Sequence, residues 1–221
     1  MRRRIEVEAH VADPRLVEER RGQILDAAIR LFSEKGYYRT TILEIARAAG
    51  ISSGLIYQYF REKEDILLLA LMQVLEAYER ELPAAIVGIN DPVERLCTAL
   101  RAYCRVVDGM REATLLAYRS TKSLPPERRG HVMDAELRTN RIIRDCLAAC
   151  IDGGYLEEMN RDLMVYQYVM FCHAWALKHW ALGGSYSVDE YVDEGIALLV
   201  EPFLTPRRGR ATLRALRART R

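Results

Sequence analysis

Residues 49–60 read AGISSGLIYQYF. The stretch opens on small and hydroxyl-bearing residues, Ser52, Ser53 and Gly54, and closes on two tyrosines, Tyr57 and Tyr59. Its start is too polar for a core helix and its end too aromatic for a plain loop. Small residues at a helix start let the backbone approach another surface. Hydroxyls and free amides there are donors for phosphate. Ile56 and Phe60, four apart, fall on one helical face and are expected to point into a core. Tyr57 and Tyr59 add flat apolar bodies with a polar tip. These are the properties required of a short helix that enters the major groove of DNA.

The flanking sequence supports this reading. In RRGQILDAAIRLFSEKG (20–36), Ile24, Ala27, Ala28, Leu31 and Phe32 share one helical face, and Gly36 sits where a glycine stops a helix. TTILEIARAAG (40–50) places Thr41 three residues before Glu44, the spacing of a capping box, with Ile42, Ile45, Ala46 and Ala49 on the buried face. Gly50 ends that helix, and the next begins at once, capped by Ser52 or Ser53. Three short helices between residues 20 and 60, the last two joined by a glycine turn, make a helix-turn-helix. The longer helix from Glu62 carries Glu62, Glu64 and Asp65 in its first turn, where the helix dipole favours anions.

Farther on, helical periodicity predicts segments at 91–108, 111–122, 125–152, 160–182 and 187–201. They are punctuated by Pro83, Pro92, Pro125-Pro126, Gly153-Gly154, Gly183-Gly184, Pro202 and Pro206. No run reads as a strand, and no repeat is visible. The expected fold is all-α. Its expected divisions are a basic N-terminal arm (1–16), a helix-turn-helix domain (17–66), a second helical domain (67–205) and a basic tail (206–221).

The bulk composition bounds the function. With 221 residues, 50% hydrophobic and 29% charged, the chain can build a real core. The net charge is only +2, but the arginines crowd into MRRR at the start and PRRGRATLRALRARTR at the end. Either end could hold phosphates by counterion release, or serve as a solvated tail. There is no apolar run long enough for a membrane span and no secretory h-region, so a cytoplasmic protein without membrane contact is expected. The five cysteines, Cys97, Cys104, Cys146, Cys150 and Cys172, are an odd number without a CxxC pair and read as reduced core thiols. No Ser-His-Asp, metal-ligand or glycine-rich phosphate pattern occurs. The chain is therefore expected not to be an enzyme and to need no cofactor or metal.

TILEIARAAGISSGLIYQYFREKEDIL, residues 41–67, resembles the DNA-binding segment of the TetR/AcrR family of repressors. Thr41, Ile45, Ala46, Ala49, Gly50, Ile51, Ser52, Gly54, Ile56, Tyr57, Tyr59, Phe60, Lys63 and Glu64 agree with that family's pattern in register. The resemblance implies about nine helices, an operator-binding homodimer and a ligand-responsive second domain. By motif position it implies DNA contacts from Thr41, Ser52, Ser53, Gly54, Tyr57, Tyr59 and Lys63. Tyr57 and Lys63 are expected on phosphates, and Ser53, Leu55 and Gln58 at base edges. Leu43 stands where some members carry a polar or basic base-reading residue, so little direct readout is expected from that helix.

For the second domain, the apolar and aromatic helix DLMVYQYVMFCHAWALKHWAL (162–182) is expected to be buried on several sides. Its Tyr168, Trp175, Lys178 and His179, with Tyr118, Arg119, Lys122, Arg138 and Arg141 from earlier helices, mix aromatic surface with cations. That suits an amphipathic anion. The layout is similar to the subgroup of these repressors that answers to acyl-CoA thioesters. Three other readings stand beside it: the tryptophans as core or interface residues and the cations as surface ion pairs; a pocket for neutral or cationic hydrophobic drugs, with an efflux gene as target; and a DNA-binding protein with no ligand.

Overall fold

The computed structural model describes Val7 and residues 13–212. The named α-helices among the described residues are, in order, α1 (Pro14–Lys35), α2 (Ile42–Ala48), α3 (Ser53–Ile56), α4 (Lys63–Ile86), α5 (Pro92–Gly109), α6 (Arg111–Ser120), α7 (Pro126–Asp152), α8 (Arg161–Leu177), α9 (His179–Leu182) and α10 (Val188–Leu199). Short 3-10 turns occupy Thr121–Ser123 and Glu201–Phe203. Helical backbone resumes at 209–212. No β-strand occurs among the described residues, only an isolated bridge between Leu156 and Leu204. The all-α expectation holds.

The boundaries follow local chemistry. Asp13 caps α1 by accepting the Arg15 amide, and Pro14 fills the first position, where no amide partner is needed. Gly36 closes α1 at φ 86°, a conformation that penalises any Cβ. Two predicted ends differ. α4 continues past Pro83 to Ile86. The predicted helix 160–182 breaks at Lys178, whose φ of −119° ends α8 ahead of α9.

The chain forms two compact units: residues 1–75 with 112–135, and residues 76–111 with 136–221. The first therefore draws α6 and the start of α7, assigned from sequence to the second domain, together with the helix-turn-helix. Its core holds Ile24, Ala28, Phe32, Ile45, Ala46, Ile56, Phe60, Ile66 and Leu67. Polar ties fasten the segment after α3. The Arg21 guanidinium donates to the Tyr59 carbonyl at 3.0 and 3.2 Å and lies over the Phe60 ring. It also donates to the Val7 carbonyl. One oxygen of Asp65, 4% exposed, accepts the backbone amides of Arg61 and Glu62 at 3.0 and 3.1 Å. Its other oxygen pairs with Arg128 of α7 at 2.7 Å, and Arg128 also pairs with Glu62.

In the second unit α5 packs on α8 and α10. Gly195 permits the approach of α10: a Cβ there would lie 1.9 Å from the Phe171 ring. Tyr191 stacks on that ring at 4.5 Å and donates to the Phe171 carbonyl. At the centre, Tyr78 stacks on Tyr103 at 4.2 Å, and the Tyr103 hydroxyl bonds His173 Nε2 at 3.0 Å. Burial lowers the His173 pKa to about 4, so this imidazole stays neutral at pH 7. All five cysteines are buried free thiols. Burial pushes Cys97 up to about 11 and raises Cys146, Cys150 and Cys172 as well, which leaves these thiols poorly nucleophilic.

Two outcomes follow. Arg128→Ala removes a charge partner from buried Asp65 while the two backbone bonds to it remain. The urea midpoint should fall at unchanged m-value, by the equivalent of about 2–3 kcal/mol; an unchanged midpoint would mean the pair does not hold the unit. His173 gains a proton in the unfolded chain near pH 6.5 but in the folded chain only near pH 4. Its contribution is therefore intact above pH 6.5 and is lost as pH falls through that window. Urea titrations should show roughly 2 kcal/mol of loss between pH 7 and 5, and a flatter dependence in His173→Gln.

Candidate nucleic-acid interface

The turn between α2 and α3 is built by Gly50 at φ 70° and closed by the Ile51 amide bonding the Ala46 carbonyl at 3.0 Å. Ser52 then caps α3, its hydroxyl oxygen accepting the Leu55 amide at 3.2 Å. α3 is a single turn, and the chain continues through tight turns to Phe60. That short path sorts the side chains. Ile56, Tyr59 and Phe60 are at most 3% exposed. Ser52, Ser53, Gly54, Tyr57 and Gln58 are exposed, with Tyr57 half open to solvent, and Leu55 is intermediate. One side of the segment thus offers two hydroxyls, a backbone without a side chain, a phenol and an amide.

Three of the expected contact residues carry structural roles, and of these only Tyr59 is buried. Tyr59 is a core residue: three positions after Ile56 it turns to the same inner face, and Arg21 holds its carbonyl. Lys63 is not a free cation. Its ammonium donates to the carbonyls of Tyr37 and Thr40, both at 3.0 Å, and sits 4.4 Å from the Tyr37 ring centre. It fastens the α1–α2 connection. The Thr41 hydroxyl is committed to its capping box, accepting the Glu44 amide at 3.2 Å and donating to the Glu44 carboxylate at 3.1 Å. Lys35, bonded to Glu44 at 2.7 Å, and the Thr41 backbone amide hold that carboxyl down to about 2.

Of the expected basic arm, residues 14–16 are already helical; residues 1–6 and 8–12, and 213–221 of the tail, lie outside the described residues. Sequence reading missed Arg21, Tyr37 and Arg128, and took Asp65 only as a first-turn anion of α4. The buried Tyr37 hydroxyl donates to Glu64 at 3.0 Å, and burial followed by that bond raises its pKa.

The predicted effector residues separate. Tyr118, Arg119 and Lys122 are exposed residues of the first unit. The others belong to the second. Arg138 is paired with Glu79 at 2.7 Å. Arg141 and Lys178 are exposed. Tyr168 is fully buried, its hydroxyl donating to the Leu199 carbonyl at 3.3 Å. The Trp175 indole donates to Asp108 at 2.8 Å, with Arg111 on the same carboxylate oxygen. Arg111 also bonds His179 Nε2 at 3.1 Å, and the His179 ring meets Trp175 edge-on. Asp108 and Arg111 thus tie Trp175 and His179 together, although His179 Nδ1 is buried with no hydrogen-bond partner among the described residues, and Lys178 is exposed at the helix break. Asn140, on α7, is 6% exposed, and neither polar atom of its side chain has a partner among the described residues.

The sequence matches the family of bacterial regulatory proteins, tetR family, over residues 24–70, and the tetracyclin repressor-like C-terminal domain over 90–202. It is 59% identical over 199 residues to the HTH-type transcriptional regulator HbdR of Aromatoleum sp. (strain CIB), covering 90% of this chain and 87% of that protein. Among solved structures, the TetR family regulator PfmR from Thermus thermophilus aligns with a TM-score of 0.73 at 25% identity, over 80% of this chain and 96% of that one. AibR, solved in complex with isovaleryl coenzyme A and operator DNA, aligns with a TM-score of 0.73 at 20% identity, over 83% and 100%. With the exposed helix-turn-helix face in place, these matches establish that the chain belongs to the TetR family of DNA-binding transcriptional regulators.

Proposed function

We propose that the chain acts as a homodimeric repressor, released from a pseudo-palindromic operator by a lipophilic anionic effector, an acyl- or aryl-CoA thioester. The observation that carries the DNA half is the outward face of 52–58. Tyr57 supplies a phosphate donor, and Ser53 and Gln58 stand free for base edges. A second copy is the partner that the second unit invites. α8 exposes Leu163, Tyr166 and Met170, spaced three and four apart along one face, and α10 exposes Leu198. A two-fold dimer would set its recognition segments about 34–36 Å apart, or somewhat more, along one face of the duplex.

The effector class rests on charge. In the second unit, Arg141 and Lys178 are exposed cations that form no ion pair among the described residues, charges suited to CoA phosphates. AibR, of like fold, was solved with a CoA thioester and DNA together. The buried Asn140 amide offers a donor and an acceptor to a polar ligand group. One observation favours the rival effector class of neutral or cationic hydrophobic compounds. Glu136 is part-buried, and burial raises its pKa. Under either reading the effector works only through its difference in affinity for the DNA-competent and released states.

Two measurements test this. Tyr57→Ala should weaken binding to a duplex from upstream of the gene by at least about tenfold, with the urea midpoint unchanged because the ring is half exposed. Equal affinity would remove Tyr57 from the interface. In fluorescence anisotropy at fixed salt, one group of CoA thioesters should release the duplex while the matching free acids do not. Release by cationic hydrophobic compounds alone would move the assignment to the Glu136 reading.

A further inference from the structure

Leu43 is 54% exposed on α2, although Ile45 and Ala46 beside it are fully buried. It therefore lies on the helix face turned away from the core, with exposed Arg47 one turn farther along the same side. Its position is well defined. The Thr41–Glu44 capping box and the Lys35–Glu44 ion pair at 2.7 Å fix the start of α2 on both sides of it. Helical side chains lean toward the N-terminus, so the leucine overhangs the capped end rather than the helix middle. A single exposed leucine on an ordinary surface needs no explanation. This one belongs to the first helix of a helix-turn-helix, the helix that crosses the DNA backbone beside the groove its partner helix enters. The exposed 52–58 segment follows α2 directly after the Gly50 turn. The major groove offers one apolar group, the C5-methyl of thymine.

We propose that Leu43 reads a thymine methyl group in each operator half-site, making α2 a specificity-determining element through apolar contact. This reverses the expectation that little direct readout comes from that helix. It also joins Gln58, whose amide suits adenine, in favouring A·T pairs within the half-site. The assignment rests on the repressor reading above, and its test separates the two.

The full-length protein would first select its preferred duplexes from a random pool. Each thymine of the selected site would then be replaced singly by deoxyuridine, which keeps the pairing edge and lacks only the methyl. Affinities of the wild type, Leu43→Ala and Leu43→Gln would be read by anisotropy, at a salt concentration where all three bind. The expected result is one symmetry-related position per half-site where deoxyuridine weakens the wild type about fourfold, the worth of one buried methyl-sized group. Both variants should bind the thymine and deoxyuridine duplexes equally there. Wild-type indifference to every replacement overturns the proposal, as does the same sensitivity persisting in both variants; operator binding itself stands in either case. Enrichment of no duplex overturns the DNA-binding reading beneath it.

Discussion

The buried carboxylate of Asp65 is the constraint on which the DNA-reading unit depends. It ties the amides of Arg61 and Glu62, directly after the recognition segment, to the first turn of α4, and it is matched by Arg128 at the start of α7. A carboxylate so deeply buried is stable only while those partners stay in place. The end of the recognition segment, the start of α4 and the start of α7 are therefore held as one piece. Lys63 extends this, since the same turn of α4 grips the carbonyls of Tyr37 and Thr40 ahead of α2. The reading surface is framed on both flanks by α4.

This framing explains why the outward face can be so small. α3 is one turn long and has little stability of its own. Ile56, Tyr59 and Phe60 anchor it from beneath, leaving Ser53, Gly54, Tyr57 and Gln58 with no structural duty. The exposed cations Arg119, in the last turn of α6, and Lys122, in the turn before α7, belong to the same unit as Arg128. A ligand bound there would act on the piece that Asp65 holds.

Local features were legible in the sequence. The capping box at Thr41 and Glu44, the glycines at 36 and 50, and the helices at 91–108 and 125–152 follow from near-neighbour chemistry, and the structure repeats them closely. What failed to show was long-range pairing. A motif position tells that Tyr59 and Lys63 matter, but not whether they face DNA or support the face that does. Asp108 satisfies Trp175 from 67 positions away, and Arg128 reaches Asp65 across 63. No periodicity encodes such partners. The break at Lys178 carries neither proline nor glycine, so the apolar run read as one helix. Leu43 was legible only as a departure, and its exposure is what turns that departure into chemistry.

Hydroxyl-radical footprinting of the wild-type protein on DNA upstream of its own gene tests the central claim most directly. The account predicts two related protected patches on one face of the duplex, about one helical turn or somewhat more apart, as two copies of the 52–58 face would leave. A single patch, or no protection at concentrations that saturate binding, would contradict it.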